Sequence, residues 1–303
     1  MNEIFIREDK GESMILSASR RTDIPSYYSE WFMNRLQEGY VLTRNPMNYH
    51  QIRNIELNPE NIECIVFWTK DPLNLMKYLP QIDNMGYQYY FQYTLTPYGK
   101  QIERHIREKK ELVTTFQELS HRIGRERVVW RYDPIIINRE LTFQYHIECF
   151  ENLCRELQGD TKVCEISFCD IYKKLSKEVK ESVILPTSEL QMQQITRELV
   201  AIGRKYDIEL RACCEKEVLM EEGVRPAACI DRELIESICG HPILAKSDGN
   251  QREGCTCIQS VDIGVYNTCM HGCVYCYANH SDKSILQNSL RHDPKAPLLL
   301  GEE

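Results

Sequence analysis

Residues 267–281 read NTCMHGCVYCYANHS, and within them Cys269, Cys273 and Cys276 follow the spacing C-x-x-x-C-x-x-C. Thiolates are soft ligands, and short cysteine spacings hold iron–sulfur clusters. Three on one tight loop can bind three irons of a cubane and leave the fourth open. Gly272 would let the backbone approach the inorganic sulfides and adopt turn conformations closed to other residues. The competing chemistry is a structural zinc site, which takes four ligands, commonly as two C-x₂₋₄-C pairs. Cys255-x-Cys257 could join two of the later cysteines to make one, and a purely electron-transferring cluster is a further option. The three-plus-open arrangement fits the eight-residue triad better, and zinc has no use for Tyr275.

The chain has 14 cysteines, many for a reducing compartment, where structural disulfides are rare. Cys64, Cys149, Cys154, Cys164 and Cys169 lie in apolar strand-like or helical stretches and read as small buried hydrophobes. Cys213, Cys214, Cys229, Cys255 and Cys257 surround a long loop before the last strand. They could hold an auxiliary iron–sulfur cluster, or zinc, or stand as thiols packed in a loop-rich cap. Cys239, in an apolar helical turn, reads as core, and His241-Pro242 as a turn. His271 could tune a cluster by hydrogen bonding, although an exposed loop position explains it equally. The sequence offers no Ser–His–Asp logic, phosphate-cradling glycine loop or amphipathic membrane segment.

These side chains need a scaffold. Apolar or β-branched runs recur as MILSASRRTD, YVLTRNP, CIVFWTKDP, YYFQYTLTP, VVWRYDP, VCEISFCD, IELRACCE and SVDIGVYN. They read as eight strands, some nearly continuously apolar, as expected of parallel strands covered on both faces. Helix-like stretches lie between most of them, at 26–38, 71–85, 98–122, 142–158 and 188–205, with a short one near 231–239. In 188–205, Leu190, Ile195, Leu199 and Ile202 mark out one apolar face. Asn45-Pro46, Asp71-Pro72, Thr96-Pro97 and Asp133-Pro134 each follow a strand as a capping residue and a proline, a preferred way to start a helix. Residues 47–62 make a poor helix.

Alternating strands and helices predict an α/β fold with a parallel sheet, and eight strands a closed, TIM-like (β/α)₈ barrel. The expected layout is a polar N-terminal extension (1–13), one barrel domain (14–285) and a C-terminal tail (286–303). Within the domain lie a cysteine-containing insertion (221–259) and the last strand with its cysteine loop (260–281). In such a barrel, function belongs at the C-terminal strand ends. Those ends carry Arg20, Arg21, Asp23, Arg44, Lys70, Thr94, Arg131, Asp133, Asp170 and Arg211. Asp71 and Asp133 also read as helix caps. The arginines and lysine make the rim suited to an anionic or strongly polar substrate.

The loop GCVYCYA, with an aromatic just before the third cysteine, resembles the cluster loop of the radical S-adenosylmethionine (SAM) superfamily. That resemblance implies a 4Fe–4S cluster on Cys269, Cys273 and Cys276, whose open iron chelates SAM. Reductive cleavage of SAM then gives methionine and a 5′-deoxyadenosyl radical that takes hydrogen from a substrate, small molecule or peptide. It implies Tyr275 against the adenine and an electron donor such as flavodoxin or ferredoxin. Family members normally carry this loop after their first barrel strand. Here it follows the eighth, and a circular permutation keeps it at the same rim, because strand eight of a closed barrel adjoins strand one. The block also looks like the C-terminal signature of an uncharacterised bacterial family. ILSASRRTD lacks the Gly-Gly-Glu that commonly grips the SAM amino group.

At 303 residues and 42% hydrophobic content the chain can bury a full core. No run approaches the roughly 18 apolar residues of a membrane span, and the N-terminus has no apolar signal region. A cytoplasmic protein is expected. The formal charge of −8 opposes nucleic-acid binding, which weakens a reading as a repair enzyme like spore photoproduct lyase. A non-catalytic metal-binding protein, its cysteines stapling the barrel, is the rival from another class.

Overall fold

The structure, a computed structural model, describes residues 4–6, 14–169, 183–212, 217–252 and 254–301. In chain order the strands are β1 (Ile4–Ile6), β2 (Met14–Ala18), β3 (Tyr40–Asn45), β4 (Asn48–Glu56), β5 (Ile62–Thr69), β6 (Tyr89–Thr94), β7 (Val128–Ile135), β8 (Val163–Phe168), β9 (Glu209–Ala212), β10 (Arg225–Pro226) and β11 (Val261–Asp262). The helices are α1 (Ile24–Tyr27), α2 (Ser29–Glu38), α3 (Leu73–Met76), α4 (Leu79–Asn84), α5 (Lys109–Ile123), α6 (Phe143–Glu156), α7 (Glu189–Lys205), α8 (Arg232–Cys239) and α9 (Asp282–Arg291).

Eight strands form one parallel sheet in the order β10-β9-β8-β7-β6-β5-β2-β11. The expected α/β class holds. Val261 and Asp262 of β11 pair with Leu16 and Ser17 of β2, so the strand leading into the cysteine loop does adjoin the first strand of the sheet. A closed barrel needs a β10–β11 ladder; among the described residues these two strands are the sheet's edges.

One expected barrel strand lies elsewhere. Residues 40–45 pair antiparallel with β4, and β1 joins that hairpin to complete a separate three-stranded sheet. Asn45-Pro46 therefore starts a hairpin turn rather than a helix, with Asn45 Oδ1 accepting from the Met47 N–H at 2.9 Å. The unforeseen β10 takes the eighth place in the large sheet. Of the other junctions, only Asp71-Pro72 opens directly onto a helix, Asp71 Oδ1 accepting from the Leu73 N–H at 3.3 Å. Thr96-Pro97 enters irregular chain that reaches α5 only at Lys109, and Asp133-Pro134, a cis peptide, lies inside β7. Asp133 is not a helix cap.

Successive strand side chains point to opposite faces, and the large sheet is covered on both. Leu16, Ile65, Phe67, Phe91, Trp130, Ile166 and Leu210 face α1–α2 and α4–α7 in the main core. On α7, Ile195 and Leu199 enter that core and Ile202 packs against it, but Leu190 is 64% exposed, because it lies in the first turn beyond the sheet's reach. The alternate residues Ile15, Cys64, Val66, Tyr90 and Val129 pack against a second core built from Ala227, Ile230, Ile235, Ile243 and Ile258. The long insertion thus fills the face that the helices leave.

The C-terminal residues are also packed. Trp31 Nε1 and Arg35 Nη2 each donate at 2.9 Å, to the carbonyls of Ala296 and Lys295, and Leu298 and Leu299 are buried. No helix among the described residues is long and apolar enough to cross a membrane.

Candidate metal centre

The loop after β11 lies on the C-terminal ends of β2, β5 and β6. His271 is buried, not exposed, at 4% accessibility. Its Nε2 lies 2.8 Å from Asp23 Oδ2 and 3.2 Å from Ser26 Oγ, and its Nδ1 lies 2.8 Å from the Tyr27 hydroxyl. Asp23 also accepts from the backbone N–H groups of Ser26 (3.0 Å) and Lys70 (2.8 Å), which makes it the joint between β2, β5 and the loop. On the other side, the loop runs along residues 102–105. His105 N–H donates to the His271 carbonyl, and Val274 N–H to the Ile102 carbonyl, both at 3.0 Å.

Gly272 has φ +67°, in the left-handed region that favours glycine. A Cβ there would meet His105 Cδ2 at 2.8 Å and Arg104 Cβ at 3.2 Å. Close packing on residues 104–105 is thus a second reason for glycine.

Cys269, Cys273 and Cys276 are brought together. Cys273 and Cys276 both raise the pKa of Cys269, and Cys276 raises that of Cys273. Burial dominates each shift. It pushes Cys273 up to about 12 against the pull of Lys70, while Glu103 and Cys276 add to the rise. Cys276 is also raised by burial, opposed by the N–H groups of Ala278 and Asn279 and by Lys70. Without a bound cation the three are therefore neutral thiols, and a metal would deprotonate them on binding. Among the described residues, the set with three ligand atoms within 4.8 Å of one another is Glu63, Cys239 and His241. At least one pair of the loop thiols is therefore more than 4.8 Å apart, whereas Zn–S bonds of about 2.3 Å put the sulfurs of a zinc tetrahedron roughly 3.8 Å apart.

Next to Cys273 sits a buried carboxylate that the sequence did not single out. Glu103, 1% exposed, accepts from Lys70 Nζ at 2.7 Å, Thr96 Oγ1 at 2.9 Å, the Tyr275 hydroxyl at 2.5 Å, and Lys109. Burial pushes its pKa up, but the two lysines prevail and hold it at about 2. Tyr275, expected against a nucleobase, has its hydroxyl committed to Glu103 and its ring edge-on to Tyr98 at 6.3 Å. Lys70 Nζ lies 5.5 Å from that ring.

The other rim residues divide. Arg20 and Arg131 each place a guanidinium against the indole of Trp68, at 5.0 and 5.3 Å from its centroid. Arg131 is buried and donates to Asp133, Gln92 Oε1 (3.1 Å), Glu165 and Cys229 Sγ (3.2 Å). Asp133 also accepts from Ser167. Burial, then Cys229, pushes Glu165 up to about 8 despite Arg131. Arg211 pairs with Glu209 and Asp231 at 2.8 and 2.9 Å. It lines a cavity of about 220 Å³ with Gln92, Glu165, Val128 and Lys162, toward the N-terminal strand ends and away from the cysteine loop. Arg21 binds the Gly264 carbonyl at 3.3 Å and faces Asp262. Arg44 leaves the group: it sits on the β3–β4 hairpin, donating to the Tyr49 carbonyl at 2.7 Å, because β3 is outside the large sheet.

Of the further cysteines, Cys229 and Cys257 are buried and Cys255 is partly buried against the same second core. Cys213, Cys214 and Asp170 lie outside the described residues. Cys239 is only partly buried, because its helix end faces Glu63 and His241.

Trp68 and Glu165 could have been found from sequence. Trp68 shares the face of Lys70 by strand alternation, and Glu165 is a charge inside an apolar strand. Glu103 carries no such mark, because residues 98–122 read as one helix whereas the helix starts at Lys109.

No curated protein matches the chain. Among solved structures, a candidate alpha-L-fucosidase from Bacteroides thetaiotaomicron aligns at 8% identity, over 62% of this chain and 76% of that one, with a TM-score of 0.26. So low a score carries no argument about fold or activity. The profile of a domain of unknown function, DUF1848, matches residues 15–278, and the chain belongs to that family.

Proposed function

We propose that the protein is a radical SAM enzyme whose 4Fe–4S cluster is held by Cys269, Cys273 and Cys276. One observation carries the reading: three mutually interacting, half-buried thiols occupy one loop fixed to the C-terminal ends of neighbouring parallel strands. The thiols at positions 269, 273 and 276 fit a cluster with one open iron in donor number and softness. When bound, that group would supply one-electron reduction and the binding of SAM at the open iron.

The chain's own residues prepare the site. Asp23, through His271 and the Lys70 N–H, fixes the loop to β2 and β5. Lys70 and Lys109 offset the charge of Glu103 and leave positive charge beside Cys273, which favours an anionic thiolate centre. The position of β11 beside β2 supports a sheet that is the wall of a permuted (β/α)₈ barrel. Arg20, Trp68, Arg131 and Asp133 line its polar end and suit an anionic or strongly polar substrate, with an external flavodoxin or ferredoxin supplying the electron.

Anaerobically reconstituted protein should be brown and, with dithionite and SAM, release 5′-deoxyadenosine. The Cys273→Ala variant should release none. Zinc in place of iron, with no visible absorption, would instead support the reading as a non-catalytic metal-binding protein, which the Glu63–Cys239–His241 cluster favours.

A further inference from the structure

We infer that Cys229, Cys255 and Cys257 hold a second iron–sulfur centre, on the opposite face of the sheet from the helices and separate from the 269–276 loop. The cysteines come from two irregular segments of the insertion that the chain folds together: Ile258 N–H donates to the Ile230 carbonyl at 3.3 Å, and Thr256 Oγ1 to the Ala227 carbonyl at 3.1 Å. Cys229 is the neighbour that most raises the pKa of Cys257. Cys255 packs against the core that contains both.

The donors around the sulfurs point to a ligand. Arg131 Nη1 lies 3.2 Å from Cys229 Sγ, Arg20 Nη2 lies 3.5 Å from Cys257 Sγ, and the Ile230 N–H donates to Cys257 Sγ at 3.4 Å. A neutral thiol is a weak acceptor. Two guanidinium groups and a backbone amide converging on two buried sulfurs form the environment of thiolate ligands, whose outer partners are N–H donors. On binding, each ligating thiol releases its proton and the sulfur stays on iron. The three sulfurs, like the loop set, do not all lie within 4.8 Å of one another.

The inference does not rest on the loop centre, and iron and acid-labile sulfide counts separate the two. They would be made on anaerobically reconstituted full chain as wild type, as Cys269→Ala/Cys273→Ala/Cys276→Ala, and as Cys229→Ser/Cys257→Ser. The loop variant should keep about four irons with matching sulfide per chain, and the serine variant should lose that same amount. A loop variant without iron, a serine variant matching wild type, or zinc lost only with Cys229 and Cys257 would each overturn the inference. A loop variant that keeps all the wild-type iron would instead sink the proposed function and leave this centre standing. Should the serine pair fail to fold, Arg20→Gln removes no ligand. In the loop-variant background it should speed chelator-driven iron release about tenfold, and an unchanged rate would overturn the second centre.

Discussion

Glu103 does at residue scale what no motif announces. It is the common acceptor for two lysines, a threonine and Tyr275, and so joins β5, the 95–108 segment and the cysteine loop. Its pKa of about 2 lies below the ordinary 4.5. A lowered carboxylate contributes stability above its unfolded pKa and loses it as pH falls through the folded value. Glu103→Gln should therefore cost about 3 kcal/mol at neutral pH, measured by urea denaturation. The difference from wild type should shrink between about pH 4.5 and about pH 2. His146 adds to the same acid sensitivity. Burial holds its pKa at about 4 against an ordinary 6.5, so its contribution is present above about pH 6.5 and fades as pH falls toward 4. His146→Gln should flatten the stability–pH curve in that window. Gly272→Ala combines a positive φ with a 2.8 Å contact to His105. It should destabilise the protein by about 1–3 kcal/mol and reduce iron retention, read by metal analysis of purified protein.

The elements were legible where periodicity was strong. Capped amphipathic helices such as α6 and α7, and apolar strands such as β5 and β7, stand out because burial on one or both faces imprints their sequence. Proline junctions misled. Asn45-Pro46 begins a hairpin and Asp133-Pro134 sits within a strand, because proline fixes its own φ without dictating the conformation of the residues after it. The cysteine loop was legible from spacing alone. Its supports were not, since Asp23–His271 and Glu103–Tyr275 are contacts between distant segments that no local pattern encodes. The insertion was visible as an unusually long loop with one short helix near 231–239, which is α8, but nothing marked it as the supplier of an entire core. Ile235, fully buried on α8, should behave as a core residue: Ile235→Ala should cost about 2–5 kcal/mol in chemical denaturation, despite its place between two stretches of loop.

For the whole molecule, the two faces of one parallel sheet have different occupants. Helices cover one, and the insertion covers the apolar end of the other, leaving Arg20, Trp68, Arg131 and Asp133 toward the C-terminal end. A metal bound by the native state alone adds to global stability by mass action. Reconstituted protein should melt higher than apo-protein by several degrees, and the Cys269→Ala/Cys273→Ala/Cys276→Ala variant should show a smaller rise than wild type.

The contact between Asp23 and His271 spans 248 positions of sequence. Closing a loop over such a separation costs more chain entropy than closing any local turn. During synthesis the early strands must wait for nearly all of the chain before this clasp can shut. On the proposed function, the thiols of the loop reach their mounting on β2 and β5 only once that clasp has shut.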